Sequence, residues 1–150
     1  MTYGVGVLHR FDPNRHPEEK RVTKDGLDWC TDVFDVFVTA NQSVLRGESV
    51  VRRYTPVRRD QTATTINIYG SVNENVDYIT DPEVNLCGTL TLTLSDVVPH
   101  GQRREIRTEM LFGDTEIRVR ATDVTDGHAV EASIDFIKYW PVFINSTFKY

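Results

Sequence analysis

The chain has 150 residues and only two cysteines, Cys30 and Cys87, so it cannot build a disulfide framework. Each thiol has apolar or aromatic neighbours, in DWCTD and NLCGT, and both are expected to be buried and free. No apolar run approaches the roughly 20 residues of a membrane-crossing helix. Met1 leads straight into TYGVGVLHRF, without the basic segment and apolar block of a secretion signal. These absences point to a cytosolic, cytoplasmic chain with no membrane partner. The Asn41-Gln42-Ser43 and Asn145-Ser146-Thr147 triplets fit the glycosylation pattern but would matter only after secretion. Positive charge is not in excess either. A net charge of -5 disfavours a nucleic-acid partner over long range. The one basic cluster, RRYTPVRR from Arg52 to Arg59, reads as a strand end entering an exposed loop around Pro56, in preference to a phosphate site.

Catalytic signatures are missing too. His9, His16, His100 and His128 are scattered without metal-ligand spacing and are expected at the surface. No serine occupies a nucleophile elbow, and YGVGV lacks the third glycine and the helix of a dinucleotide loop. No lysine-bearing phosphate loop is present, and neither cysteine has a basic neighbour in sequence. Asp25, Asp28, Asp32 and Asp35 read as a solvated edge, since no Asx-rich loop with a central glycine matches a calcium site. No residue is therefore assigned as catalytic or metal-binding, and the chain is read as a non-enzyme.

What the sequence does contain is alternation with a period of two, which marks strands with one buried face. Ile117, Val119 and Ala121 oppose Glu116, Arg118 and Arg120, and Val130, Ala132, Ile134 and Phe136 oppose Glu131, Ser133 and Asp135. Leu90, Leu92 and Leu94 alternate with threonines, Ile66 pairs with Ile68, and Ile106, Met110 and Phe112 share a face. Gly113-Asp114 suits the centre of a tight hairpin, and Asp126-Gly127 supplies the positive φ of another turn. The two glycines of TYGVGVLH suggest close backbone approach or a sharp bend within a first strand. Residues 11–26 carry two prolines and dense charge and are expected to form a long exposed loop. LDWCTDVFDVFV is ambiguous between helix and strand, and its β-branched and aromatic content favours a strand from about Thr31 onward. About eight short strands with turn signals between them predict an all-β fold, an antiparallel β-sandwich forming one domain.

The order of the motifs YTPVRRDQTATTINIYG, LCGTLTLTLSDV and REIRTEMLFGDTEIRVRATDVTDGHAVEASIDF resembles the β-sandwich substrate-binding domain of the 70-kilodalton heat-shock chaperone family. TYGVGVLHRF, DWCTDVFDVFV, NQSV, INIY and FGDTEI are similar to a divergent branch of that family. The resemblance spans about residues 2–137. It implies a peptide-binding sandwich over 1–137, and the aromatic tail over 138–150 matches nothing in the family. It also implies capture of unfolded or extended hydrophobic peptides, with backbone hydrogen bonds giving affinity and an apolar pocket giving selectivity.

Carried over by position, the resemblance assigns Val5, Val7 and Leu8 to the first channel loop and Tyr54 to the pocket aromatic. It assigns Val57 to an arch over the peptide, Ile66 to the pocket floor and Ile106 to the opposite wall. Thr64 stands where the typical chaperone has valine, which implies a wetter pocket. The charged insertion from Asp12 to Lys24 departs from the typical short loop and is expected either to cover the groove or to recruit a different partner. The resemblance further implies an ATP-hydrolysing domain preceding residue 1 and no cofactor in this chain, whereas the helical lid that follows the sandwich in typical members is expected to be absent. The tail KYWPVFINSTFKY is expected to be a sticky segment, an added edge strand, or a peptide for a neighbouring molecule's groove, which would give self-association. The competing expectation is a scaffold domain that binds one folded partner through the acidic loop and Val33 to Val38.

Overall fold

The structure, a computed structural model, describes residues 1–39, 47–56, 58, 60–94, 103–113 and 115–135. Val57, Arg59, His100, Asp114, Phe136, the Asn41 and Asn145 triplets, the expected boundary at residue 137 and the 138–150 tail lie outside them. The described chain is an all-β antiparallel sandwich. Its strands are β1 (Thr2–Arg10), β2 (Arg21–Lys24), β3 (Leu27–Val38), β4 (Ser49–Tyr54), β5 (Ala63–Ser71), β6 (Val84–Thr93), β7 (Ile106–Phe112), β8 (Glu116–Asp123) and β9 (Ala129–Asp135). One sheet has the order β2-β3-β1-β5-β6 and the other β4-β7-β8-β9. Among the described residues the only helical element is a 3-10 turn at Glu18–Lys20.

The alternation predicted from sequence sets the layers. Ile66 and Ile68 of β5 and Leu90 and Leu92 of β6 face Ile106 and Met110 of β7, Ile117, Val119 and Ala121 of β8, and Ile134 of β9 in one core. Each such side chain, fully removed from water, stabilises the fold by about 1.5–3 kcal/mol. Thr89, Thr91 and Thr93 lie on the exposed side of β6. Gly127 has the expected positive φ of 80°. Its N–H donates to the Asp123 carbonyl and closes the β8–β9 turn. Gly113 differs from expectation: its N–H donates to the Glu116 carbonyl, so it flanks the β7–β8 turn instead of occupying its centre.

Three other expectations are corrected. β3 begins at Leu27, four residues earlier than predicted, because Leu27 to Cys30 pair with β2. Residues 11–26 are not one long loop: the 3-10 turn leads into β2, which pairs with β3 across a turn at Asp25-Gly26. Both turn residues have positive φ, 51° and 75°, the geometry that Asp-Gly favours. Finally, His16 is buried. It accepts the Asp12 N–H at 2.9 Å and packs its ring 5.4 Å from His9 and 5.8 Å from Phe11. Burial, then the neighbouring His9 and Arg15, lower its pKa.

The glycines of β1 mark a close approach. A Cβ on Gly4 would lie 2.3 Å from the Asp35 carbonyl oxygen of β3, so only glycine lets the two backbones pack this tightly. A buried ion pair between Arg104 and Asp123 fastens the segment before β7 to the end of β8. Asp123 also accepts the Thr125 N–H at 3.0 Å, so its charge is held by several donors.

Both cysteines are buried and free, as their surroundings predicted. Burial raises the Cys30 pKa and pushes the Cys87 thiol up to about 11 from its ordinary 9.0. The folded chain therefore keeps the Cys87 proton longer than the unfolded chain. The stability this contributes is fully present below about pH 9 and is lost as pH rises through about 11. Native alkylation by iodoacetamide at neutral pH should run at least about tenfold slower than for free cysteine, and both thiols should react at the free rate in denaturant. Rapid native labelling would contradict this burial.

Candidate functional site

β1 is the central strand of its sheet, and it serves two neighbours over different lengths. With β3 it stays paired from Tyr3↔Val38 to Arg10↔Trp29. With β5 it pairs only from Thr2↔Ser71 to Val5↔Ile68. β5 meanwhile continues alongside β6 down to Ala63↔Thr93. Beyond Val5 and Ile68 the two strands diverge, and Gly6 to Arg10 face Ala63 to Asn67 across a fork in the sheet. Every strand residue carries one backbone donor and one acceptor, pointing alternately to the two sides. The inner edges of the fork therefore present backbone groups that no strand of this sheet pairs. The five residues from Gly6 to Arg10 span about 17 Å at strand rise.

A cavity of about 1050 Å³ occupies this region, bounded by the fork, the end of β4 and the start of β7. Seven of the eight residues assigned from sequence line it: Val5, Val7, Leu8, Tyr54, Thr64, Ile66 and Ile106. The eighth, Val57, lies outside the described residues. The seven differ in character. Val5, Ile66 and Ile106 are 1%, 6% and 2% exposed and belong to the core, so they form a floor whose removal would also unfold the sandwich. Val7, Leu8, Tyr54 and Thr64 are half-buried and free to make further contacts. Thr64 shares the inward face of β5 with Ile66 and Ile68 and adds one hydroxyl to the cavity lining.

The mouth is held open by ties between the sheets. The Tyr54 hydroxyl, on β4, donates to Asp35 of β3 at 2.6 Å. Burial, followed by the Asp35 carboxylate, raises the Tyr54 pKa far above its ordinary 10.0, so the hydroxyl remains a donor. Arg52 donates to the Val36 carbonyl at 3.2 Å and lies 5.3 Å over the Phe37 ring. These contacts also resolve the apparent basic cluster: Arg52 ties sheet to sheet, Arg53 pairs with Glu105 at 3.2 Å, and Arg58 lines the cavity.

The acidic series is likewise dispersed, not a solvated edge throughout. Asp25 makes the hairpin turn, Asp28 pairs with Arg21 at 2.6 Å, Asp32 pairs with Lys20 at 3.3 Å, and Asp35 accepts Tyr54 between the sheets. Among the described residues no three His, Cys, Asp or Glu gather as a metal site.

Sequence reasoning missed the second wall. Lys24, Asp25, Leu27 and Trp29 of the β2–β3 hairpin line the same cavity, as do Arg10, Tyr69, Ile79 and Arg103. The signal was present in KDGL, an Asp-Gly between two short alternating runs. The hairpin is braced by Arg21, which also contacts Glu18 at 3.2 Å and lies 4.8 Å over Phe11. The 12–24 insertion thus contributes to one side of the cavity through Lys24. Val33 to Val38, the surface expected for a folded partner, is largely consumed internally: Phe34, Phe37 and Val38 are buried, and Val33 bridges to Tyr78.

No family model matches the chain. Curated relatives do. The chain is 52% identical over 143 residues, 93% of its length, to Heat shock 70 kDa protein 12A of Mus musculus and of Homo sapiens. It is 52% identical over 145 residues, 91% of its length, to Heat shock 70 kDa protein 12B of Homo sapiens. It spans only 21% of the length of each of these relatives. At this identity the chain is similar, over nearly its whole length, to one segment of these 70-kilodalton heat-shock proteins, the likeness that the order of the motifs had suggested.

Replacing Tyr54 by Phe should cost about 2 kcal/mol in urea-induced unfolding, because Asp35 loses a donor in a half-buried position. A loss below about 0.5 kcal/mol would mean that the Tyr54–Asp35 contact does not tie the two sheets together.

Proposed function

We propose that this chain binds extended apolar peptide segments in the fork between β1 and β5, as the peptide-binding part of an atypical 70-kilodalton heat-shock chaperone in the cytosol. The observation that carries this reading is the early end of the β1–β5 pairing at Val5↔Ile68. A foreign strand laid between Gly6–Arg10 and Ala63–Asn67 restores the missing ladder, and its alternate side chains point toward Val7, Thr64 and Ile66. Each backbone hydrogen bond contributes about 1 kcal/mol net, so several are needed, and they read no sequence. Apolar side chains entering the cavity supply the selectivity.

The likeness to heat shock 70 kDa proteins supports the same reading, since apolar segments in an extended state are what a heat-damaged protein exposes. Within this proposal the chain needs no cofactor for binding, and any ATP-driven cycle belongs to a different part of a longer protein. A dedicated folded partner at Val33–Val38 is disfavoured, because that stretch is packed against the core and against Tyr78.

Binding of fluorescent, uncharged peptides of about seven residues with a leucine centre tests the reading by anisotropy. Thr64→Val should tighten binding about fivefold by removing a hydroxyl from the cavity lining, a change of about 1 kcal/mol. N-methylation of the central peptide amides should abolish binding. No association with any apolar peptide, or binding indifferent to N-methylation, would overturn the proposal.

A further inference from the structure

The walls of the cavity are basic in a chain whose net charge is -5. Arg10 and Lys24 stand on the side of β1 and the β2–β3 hairpin, and Arg58 and Arg103 on the side of the β4–β5 connection and the entry to β7. Among the described residues none of these four cations forms an ion pair, and Arg10 has Asp28, already paired with Arg21, as an electrostatic neighbour. The other two basic residues of the lining are already matched, Arg53 with Glu105 and Arg104 with Asp123. Of the two lining carboxylates, Asp32 is matched by Lys20, which leaves Asp25 alone on the acidic side. Arg10 is also held in place, its guanidinium 5.6 Å over the Trp29 ring, so its charge is directed along the wall instead of sweeping through solvent.

We infer that the fork selects extended segments whose apolar centre is flanked by aspartate or glutamate, an inference that rests on the peptide-binding reading above. The apolar floor, Val5, Ile66 and Ile106, accepts the centre of the segment, and the cations beyond it meet the flanks. Cations on both walls of the cavity attract carboxylates beside the apolar centre and repel lysine and arginine there, which gives selectivity against basic segments as well as for acidic ones. A single-stranded nucleic acid would also satisfy the cations. It cannot fill the alternating donors and acceptors of two strand edges, and the overall negative charge opposes its approach.

The test uses the whole chain and three peptides of about seven residues that share one apolar centre and differ only in flanks of aspartate, serine or lysine. Aspartate flanks should bind roughly tenfold tighter than serine flanks, and lysine flanks the least tightly, with the advantage shrinking as salt rises from about 50 mM to about 500 mM. The double variant R58E/R103E, at two exposed positions, should reverse the order of aspartate and lysine flanks. Measurable binding with serine flanks as good as aspartate flanks would overturn the inference and leave the peptide-binding reading standing. Displacement of the acidic peptide by a short single-stranded oligonucleotide at lower concentration than by the acidic peptide itself would also overturn it. If no peptide binds, both fall together.

Discussion

Everything proposed for this sandwich depends on one failure of pairing: β1 and β5 are neighbours in the sheet yet share a ladder for only four residues, Thr2 to Val5 against Ser71 to Ile68. A sheet normally closes such gaps, because an unpaired backbone donor or acceptor away from water is costly. Here each strand is anchored on its far side, β1 by β3 and β5 by β6, and neither can swing inward without breaking a long ladder. The fork is therefore kept open by the same hydrogen bonds that build the sheet. Its edges can be satisfied by water or by an added strand.

The remainder of the chain keeps that opening in shape. Gly4 lets β1 and β3 approach closely just before the divergence, and the irregularity between Val7 and His9 alters the course of β1 beside the fork. Across the mouth, Tyr54–Asp35 and Arg52–Val36 join the end of β4 to β3, and Arg104–Asp123 fixes the approach to β7. These are polar ties placed where the two sheets splay, while the apolar core lies between the paired parts of the strands. Polar contacts with fixed geometry hold a defined separation, whereas apolar packing alone would tend to shrink the gap.

Much of the fold was legible because a half-buried antiparallel strand writes its face into the sequence. The alternations at Leu90–Leu92–Leu94 and Ile117–Val119–Ala121 translate directly into burial. The second strand was hidden because Arg21 to Lys24 is short, charged and at the edge of the sheet, so its alternation spans only four residues and carries one apolar side chain, Val22. The cavity residues came from resemblance, not periodicity: Val5, Ile66 and Ile106 look like any core position, and only the place where β1 and β5 part company distinguishes them. That place is a property of two strands some sixty residues apart, so neither local pattern contains it. Asp35 was unreadable for a similar reason, since its partner Tyr54 belongs to the opposite sheet.

Amide hydrogen exchange over the fork tests the central claim most directly. In the free chain, the amides of Gly6 to Arg10 and Ala63 to Asn67 that face the fork should exchange rapidly, while those turned toward β3 and β6 are protected, so that protection alternates along each strand. Adding an apolar peptide should slow the fast set and leave the slow set unchanged. Uniform protection of both strands before any peptide is added would mean that the fork is already closed, and would contradict the account.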